Sequence, residues 1–307
     1  MRVAILFTDG VGVGPRDRAT NPLARADYLL SQFDDGTGTP LPSGGARHDV
    51  DTTFGVPGRP QSASNQTAIF TAKPAPILIG GHVLGYPNQP LKKILAEHSI
   101  VRRVTEAGHS ATFANSYPTE YLDALGLKRR SGSGNDIQIP ERFLRRLKAS
   151  ASTLAMAAGG VALRTLDDAR NDEGLTHDVD GSTGARRNLE VPARSPKEAA
   201  KIFWHLAADF TLFEHYLADE AGHAQDLPAA ERALSTFDQF AREVIAYRPA
   251  DAEILICSDH GNVEDLSTRG HTRNPVAVLS FGEAKLPVIR TVADVGAAAL
   301  SILGVAA

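Results

Sequence analysis

Long apolar runs alternate along the chain with segments in which apolar side chains recur every three or four positions. The first run, residues 3–8, ends abruptly at Asp9, which is typical of a strand buried on both faces of a parallel sheet. Further strands are predicted at 110–114, 211–218, 252–258 and 274–281. Because helical patterns lie between these runs, the sequence predicts an α/β fold. We expect a doubly wound, mostly parallel sheet with helices on both faces.

Helices are predicted by amphipathic spacing and by the residues that begin them. The predicted helices cover 21–33, 62–72, 99–107, 140–158, 195–208, 228–247 and 291–303. Ser195 begins one of them with the features of a capped N-terminus. Pro196 occupies the first helical position and Glu198 the third, as in a capping box.

Residues 117–194 differ in character from the rest of the chain. They contain a Gly/Ser/Asn loop at 131–135, a basic helix and loops rich in Asp, Gly and Arg. We therefore predict a core formed by 1–116 and 195–307, with 117–194 inserted as a small cap. The cap is cationic, through Lys128, Arg129, Arg130, Arg142, Arg145, Arg146, Lys148, Arg186 and Arg187. These cations are expected either to form a solvated face or to bind an anionic substrate.

Composition excludes several classes of protein. With 307 residues, 42% hydrophobic residues and 22% charged residues, the chain has the composition of a globular protein and not of a disordered one. A net charge of -4 argues against a nucleic-acid partner. The single cysteine, Cys257, allows no internal disulfide. No apolar stretch approaches the roughly 20 residues of a membrane helix, and Asp9 interrupts the first run, so we expect a cytoplasmic protein without membrane contact.

Three predicted strands end in carboxylates, at Asp9, Asp219 and Asp259. Ligands of open α/β sheets gather at the carboxyl ends of the strands, and carboxylates placed there repel one another unless a cation neutralises them. Three histidines accompany these carboxylates: His223, His260 and His271. Oxygen and nitrogen ligands of this kind suit two divalent ions, with zinc and manganese favoured and magnesium possible.

The segment that begins the second predicted helix supplies candidate nucleophiles. Ser62 and Ser64 lie at the helix N-terminus, where the helix dipole and free N–H groups favour an alkoxide and a bound phosphate. Either serine also suits a simple N-cap. Thr67 lies inside the helix and is the weakest of the three candidates.

Five motifs in order resemble the alkaline phosphatase superfamily of dinuclear metalloenzymes, in particular cofactor-independent phosphoglycerate mutases and phosphopentomutases. They are Asp9-Gly10, residues 62–71, residues 219–223, the Ser-Asp-His-Gly-Asn sequence at 258–262, and the Gly-His-Thr-Arg-Asn sequence at 270–274. The resemblance implies an alkaline phosphatase-like core that holds two metal ions about 3.5 to 4 Å apart for in-line phosphoryl transfer.

The resemblance also implies individual roles. Asp9, Asp259 and His260 correspond to the ligands of one ion, and Asp219, His223 and His271 to those of the other. Counting back ten residues from the helix end at Ala72 gives Ser62 as the nucleophile, which also contacts the metals and forms a phosphoserine. Asn65 is expected to contact the phosphoryl oxygens. Ala72 stands where the family usually has Gly, which makes the helix end the one departure from the pattern.

A small phosphorylated molecule is therefore the expected substrate. The related glycerate mutases carry a much larger insert after the nucleophile than residues 117–194, so we expect a phosphatase or phosphodiesterase rather than a phosphomutase. A phosphomutase and, more remotely, a non-catalytic metal-binding protein are the alternatives. A sulfatase is disfavoured because residues 62–66 lack the Cys/Ser-x-Pro-x-Arg sequence that those enzymes need.

Overall fold

The computed structural model describes residues 1–134, 136–186 and 189–306. Within these residues the strands are β1 (Arg2–Thr8), β2 (Gly45–Val50), β3 (Ala111–Phe113), β4 (Ser116–Tyr117), β5 (Arg164–Thr165), β6 (Phe210–His215), β7 (Ala252–Cys257) and β8 (Val276–Phe281). Six of them form one sheet in the order β2-β8-β7-β1-β6-β3, while β4 and β5 form a separate pair.

The helices are distributed along the whole described chain. They are α1 (Ser62–Thr71), α2 (Ala75–Ile79), α3 (Gln89–His98), α4 (Ile100–Glu106), α5 (Thr119–Ala124), α6 (Glu141–Leu144), α7 (Ala151–Ala158), α8 (Leu166–Arg170), α9 (Ser182–Arg186), α10 (Pro196–Leu206), α11 (Leu217–Ala224), α12 (Leu227–Ala246) and α13 (Ala293–Ile302). A 3-10 turn covers Pro22–Arg25. No described helix combines the length and apolarity that crossing a bilayer requires.

The direction of the strands decides which loops meet. Strand β1 pairs in parallel with both β6 and β7, and β3 pairs in parallel with β6. Strand β8 runs antiparallel to both of its neighbours, β7 and β2. The carboxyl ends of β1, β2, β6 and β7 therefore lie at one edge of the sheet together with the amino end of β8. The predicted mostly parallel α/β fold is confirmed.

Strand β1 is apolar from Val3 to Phe7 because both faces of the sheet are covered there. Val3, Ile5 and Phe7 pack into a cluster formed with α1, α3, α4, α7 and α13. Ala4 and Leu6 pack into the opposite cluster, which α10 and α12 cover. Burying both faces leaves no position for an exposed polar side chain between Val3 and Phe7.

Two predicted helices differ from the structure. The segment 140–158 forms two short helices, α6 and α7, because Ser150 caps a new N-terminus by accepting a hydrogen bond from the backbone N–H of Thr153. The segment 21–33 contains only the 3-10 turn, and the Ser31 hydroxyl donates to the carbonyl oxygens of Leu23 and Ala26, in competition with helical bonding.

The boundaries of the cap, 117–194, stay a prediction. Within that region, Ala151, Ala155 and Met156 of α7 are buried in the same apolar cluster as β1, while Leu175 and Val179 are buried in the opposite cluster. The region therefore supplies side chains to both sides of the sheet.

Candidate metal centre

The carboxyl ends of three parallel strands bring five predicted ligands to one edge of the sheet. These are Asp9 after β1, Asp219 and His223 in α11 after β6, and Asp259 and His260 after β7. Strand β1 lies between β6 and β7 in the sheet, so its loop is flanked by the other two.

His271 and Ser62 lie at the same edge, next to the two strands beyond β7, which are β8 and β2. His271 precedes β8, whose antiparallel direction places its amino end beside the carboxyl end of β7. Ser62 begins α1, which follows the carboxyl end of β2 after the loop at 51–61. All the predicted ligands therefore converge.

The first trio consists of Asp9, Asp259 and His260, and all three are buried. Nε2 of His260 lies 3.4 Å from Oδ1 of Asp9 and 3.4 Å from Oδ2 of Asp259. Burial raises the pKa of Asp9 well above its usual value, and the negative charges of Asp259 and Asp219 raise it further. Burial and the charge of Asp219 also raise the pKa of Asp259 to about 7. Ionising both carboxyl groups without a bound cation is thus unfavourable at this buried position.

The second trio consists of Asp219, His223 and His271. Nε2 of His223 lies 3.2 Å from Oδ2 of Asp219 and 3.1 Å from Nε2 of His271. The Nδ1 atoms of His223 and His271 lie 2.6 and 2.8 Å from the carbonyl oxygens of Arg269 and Pro60. Each Nδ1–H therefore donates to a carbonyl, which leaves Nε2 directed towards the trio.

The residues of both trios fit a divalent cation. Oδ1 of Asp9 is buried and has no hydrogen-bond partner among the described residues, and a bound cation would satisfy it. The His260 and His271 rings stack with centroids 3.7 Å apart, so the two trios are contiguous. Burial lowers the pKa of His260 to about 3, which keeps its imidazole neutral, as a metal ligand must be.

Among the candidate hydroxyl groups, Ser62 is the one that reaches the trios. Its Oγ lies 2.9 Å from Nε2 of His260 at the N-terminus of α1. The Ser64 hydroxyl instead donates to the carbonyl oxygen of Gln61, and the Thr67 hydroxyl donates to that of Ala63. Helix α1 ends before Ala72, which adopts the left-handed conformation with φ 55°, so the helix ends where the family pattern has Gly.

The side chain of Asn65, which is expected to contact the phosphoryl oxygens, contacts the backbone in this structure. Both N–H groups of its side chain donate to backbone carbonyls, those of Thr52 at 2.8 Å and Asp259 at 2.9 Å. Asn65 is fully buried, and neither of these donors is available to a phosphoryl oxygen. Its contacts instead fasten α1 to the loop of the first trio.

Three buried residues at the site received no role in the sequence analysis: Gln66, Asn262 and Glu264. Nε2 of Gln66 lies 3.1 Å from Oδ2 of Asp9 and 3.0 Å from Oδ2 of Asp259. A spacing of four residues from Ser62 places Gln66 on the same helix face, which is the signal that could have identified it. Nδ2 of Asn262 donates to Oδ1 of Asp219 at 2.7 Å.

Four of the predicted cap cations contact groups within the cap, and a fifth, Lys148, contacts Tyr86 outside it. Arg129 and Arg130 lie beside Asp123 and Glu173, at 2.7 and 3.9 Å. Arg142 lies over the ring of Phe143, and Lys148 lies over the ring of Tyr86. Arg186 donates a hydrogen bond to the hydroxyl of Thr183. Arg187 lies outside the described residues. These contacts agree with a surface role for the basic residues concerned.

Arg59 is a cation beside the trios that the sequence analysis did not identify. Its guanidinium packs so closely against Gly270 that a side chain at Gly270 would collide with it. Its positive charge contributes, after burial and together with that of His223, to lowering the pKa of His271. It therefore provides positive potential at the site.

The fold and the two trios define an α/β protein with a candidate divalent-metal centre at the carboxyl edge of its sheet. Residues 169–307 match the Metalloenzyme superfamily model. The whole fold resembles the alkaline phosphatase from the Antarctic bacterium TAB5, with a TM-score of 0.56, 13% identity, and coverage of 99% of this chain and 98% of that chain.

Curated relatives match shorter segments. A phosphopentomutase of Methylobacterium sp. strain 4-46 is 39% identical over 92 residues, which are 28% of this chain and 22% of the relative. A 2,3-bisphosphoglycerate-independent phosphoglycerate mutase of Rhodopseudomonas palustris is 44% identical over 73 residues, 21% of this chain and 14% of the relative. The matched region thus spans less than a quarter of either relative. Together these findings support the classification predicted from the sequence, that of an alkaline phosphatase-like protein of the metalloenzyme superfamily.

Proposed function

We propose that this chain transfers phosphoryl groups from small phosphate esters through Ser62, with divalent ions held by the two trios, and that the transfer ends in hydrolysis. The observation that carries the proposal is the position of the Ser62 hydroxyl. It lies at the N-terminus of a buried helix, 2.9 Å from Nε2 of His260, where both trios meet. A helix N-terminus favours the anionic oxygens of a bound phosphate.

The six residues of the trios would hold two ions, manganese or zinc, with magnesium as a further possibility. Such ions supply Lewis acidity: they lower the pKa of a serine hydroxyl and neutralise charge on a transferring phosphoryl group. Gln66 holds the carboxylates of Asp9 and Asp259 in place, and the carbonyls of Pro60 and Arg269 fix the two imidazole rings of the second trio.

The proposed reaction has two displacements. Ser62 Oγ forms a bond to phosphorus while the bond to the ester oxygen breaks, and the alcohol leaves with a proton. Water then attacks the phosphoserine, so that the bond between Ser62 and phosphorus breaks, inorganic phosphate is released and the serine hydroxyl regains its proton. The positive charge of Arg59 beside His271 favours the approach of the anionic ester.

Solvent access favours hydrolysis. A phosphomutase must protect its phosphoenzyme from water, whereas the His223 side chain is 42% exposed at the edge of the second trio. A phosphomutase is the second candidate, because the curated relatives are named phosphopentomutase and phosphoglycerate mutase.

Turnover of a substrate panel tests the proposal. The purified chain, supplied with Mn²⁺ or Zn²⁺, is incubated with phosphomonoesters, phosphodiesters and pentose and glycerate phosphates, and both phosphate release and isomerisation are measured. We expect phosphate release that falls on the order of a thousandfold or more in Ser62→Ala, because the nucleophile is lost. Ser64→Ala is the matched control, since the Ser64 hydroxyl contacts a backbone carbonyl away from the trios.

Each alternative gives a different result. Isomerisation without phosphate release would replace hydrolysis by the mutase reaction while retaining Ser62 as the nucleophile. Equal activity of Ser62→Ala and the unsubstituted chain would contradict the role of Ser62. Metal binding without turnover of any ester would indicate a non-catalytic protein.

A further inference from the structure

Glu264 is a fully buried carboxylate whose two oxygens are both occupied by hydrogen-bond donors. Oε2 accepts from the backbone N–H of Gly12 at 3.0 Å and from that of Asn262 at 2.7 Å. Oε1 accepts from the Thr272 hydroxyl and, at 3.1 Å, from the side-chain amide of Asn274. A carboxylate can accept all four of these bonds at once.

The donors come from two loops, the one after β1 and the long connection between β7 and β8, and both loops carry proposed ligands. Gly12 belongs to the loop that follows β1 and begins with Asp9. Asn262 belongs to the loop that follows β7, and its side chain also donates to Asp219. Thr272 is the residue after His271. The one side chain of Glu264 therefore joins the loops of both trios.

Glycines allow these loops to approach the carboxylate closely. A Cβ atom added at Gly12, Gly14 or Gly261 would collide with the side chain of Glu264. The backbone of both loops thus packs directly against Glu264, and contacts on several sides fix the position of its side chain.

We propose that Glu264 is a positioning residue that fixes the relative positions of the ligands of both trios. Its loss therefore lowers the metal affinity of both sites together. The proposal rests on the metal centre of the proposed function. Glu264 acts through backbone and side-chain groups adjacent to the ligands, as outer-shell partners of metal sites do.

The carboxylate cannot be replaced by an amide without conflict. All four of its partners donate hydrogen bonds, three through N–H groups and one through a hydroxyl. In Glu264→Gln, the NH₂ group would replace one of the two oxygens and would therefore place a donor against donors. An apolar replacement would leave the N–H groups of Gly12 and Asn262 buried and unpaired, and it would remove the acceptor of the half-buried Thr272 and Asn274 side chains.

Cobalt binding tests the proposal without relying on turnover. The metal-free chain is titrated with Co²⁺, and the visible absorption spectrum gives the stoichiometry, the affinity and the ligand geometry. We expect Glu264→Ala to weaken both Co²⁺ equivalents by about 10 to 100-fold and to alter the spectrum. Thr272→Val removes one donor at nearly constant volume, and we expect a smaller change in the same direction.

Glu253→Ala is the matched control. Glu253 is a buried carboxylate at the other end of β7, and its Oε1 accepts from the backbone N–H groups of Glu283 and Ala284 at 2.6 and 2.8 Å. A side chain at Gly282 would collide with Glu253. In the same way, a side chain at Gly12 or Gly261 would collide with Glu264. Glu253→Ala therefore lowers stability without touching the trios, and we expect its Co²⁺ spectrum to match that of the unsubstituted chain.

The outcomes separate this inference from the proposed function. Unchanged Co²⁺ binding by Glu264→Ala overturns the proposed role of Glu264. If Glu264→Ala does not fold, unchanged Co²⁺ binding by Thr272→Val overturns that role. Equal weakening in Glu264→Ala and Glu253→Ala also overturns it, since the effect is then one of general stability. If the unsubstituted chain itself binds no Co²⁺, the proposed metal centre fails together with this inference.

Discussion

At the scale of single residues, the candidate site depends on polar side chains that hold the proposed ligands. Gln66 donates to carboxylate oxygens of both Asp9 and Asp259, at 3.1 and 3.0 Å. It lies one helical turn after Ser62 and is buried, so its amide has few alternative partners. Gln66 thereby fixes two carboxylates that would otherwise repel each other.

Gln66→Ala is expected to weaken Mn²⁺ binding by about 10 to 100-fold, because Asp9 and Asp259 lose the group that orients them. Isothermal titration of the metal-free chain with Mn²⁺ measures the affinity. Gln239→Ala, at an exposed position of α12, serves as the control. Equal affinities of Gln66→Ala and the control would show that Gln66 does not orient the ligands.

At the scale of elements, two helices show how local sequence and burial act together. Helix α1 is buried over its whole length, and its interior hydroxyls remain paired because Thr67 and Thr71 donate to carbonyls four residues earlier. Helix α10 begins with the predicted capping box. Ser195 accepts from the N–H of Glu198, and the Glu198 carboxylate accepts from the N–H of Ser195.

Ser195→Ala is expected to lower the free energy of unfolding by about 1 kcal/mol, because an N–H group at the start of α10 loses its partner. Urea unfolding followed by circular dichroism measures the difference. Ser301→Ala, at an exposed position of α13, should change stability by less than about 0.5 kcal/mol. A loss at Ser195 no larger than that at Ser301 would mean that the capping box contributes little.

At the scale of the whole molecule, residues 117–194 are connected to the sheet through a buried polar contact. The Ser152 hydroxyl in α7 donates to Oε2 of Glu214 in β6 at 2.7 Å. Burial raises the pKa of Glu214 to about 7, although the hydrogen bond from Ser152 opposes the rise. The protonated form of Glu214 is therefore favoured in the folded chain relative to the unfolded chain.

The raised pKa of Glu214 predicts a pH-dependent contribution to stability. The contribution is fully present below about pH 4.5, the usual pKa of Glu, and is lost as the pH rises through about 7. Glu214→Gln mimics the protonated acid, so its free energy of unfolding should rise relative to that of the unsubstituted chain between these pH values. The gain should reach on the order of 3 kcal/mol at pH 8.

Urea unfolding of the metal-free chain between pH 4.5 and 8.5 measures this difference. Glu97→Gln, at an exposed position of α3, should show almost no dependence on pH. A constant difference between Glu214→Gln and the unsubstituted chain would contradict the raised pKa.

The sequence predicts the central strands and the chemistry at their ends because burial of both faces and an abrupt polar end are local patterns. Strand β1 and Asp9, and β7 with Asp259 and His260, follow from such patterns. Strand β2 could not be predicted in this way. It lies at the edge of the sheet and contains Arg47, His48 and Asp49, so its sequence has no apolar run.

By itself, then, the sequence determined the α/β class and the types of candidate ligand, since these depend on residue identity and order. Tertiary structure decided which groups meet. The antiparallel direction of β8 brings His271 to the edge where the parallel strands end. The packing of α1 directs Ser62 and Gln66, but not Asn65, towards the trios. Strand direction and the rotation of a buried helix are set by contacts between distant segments, and local sequence does not encode them.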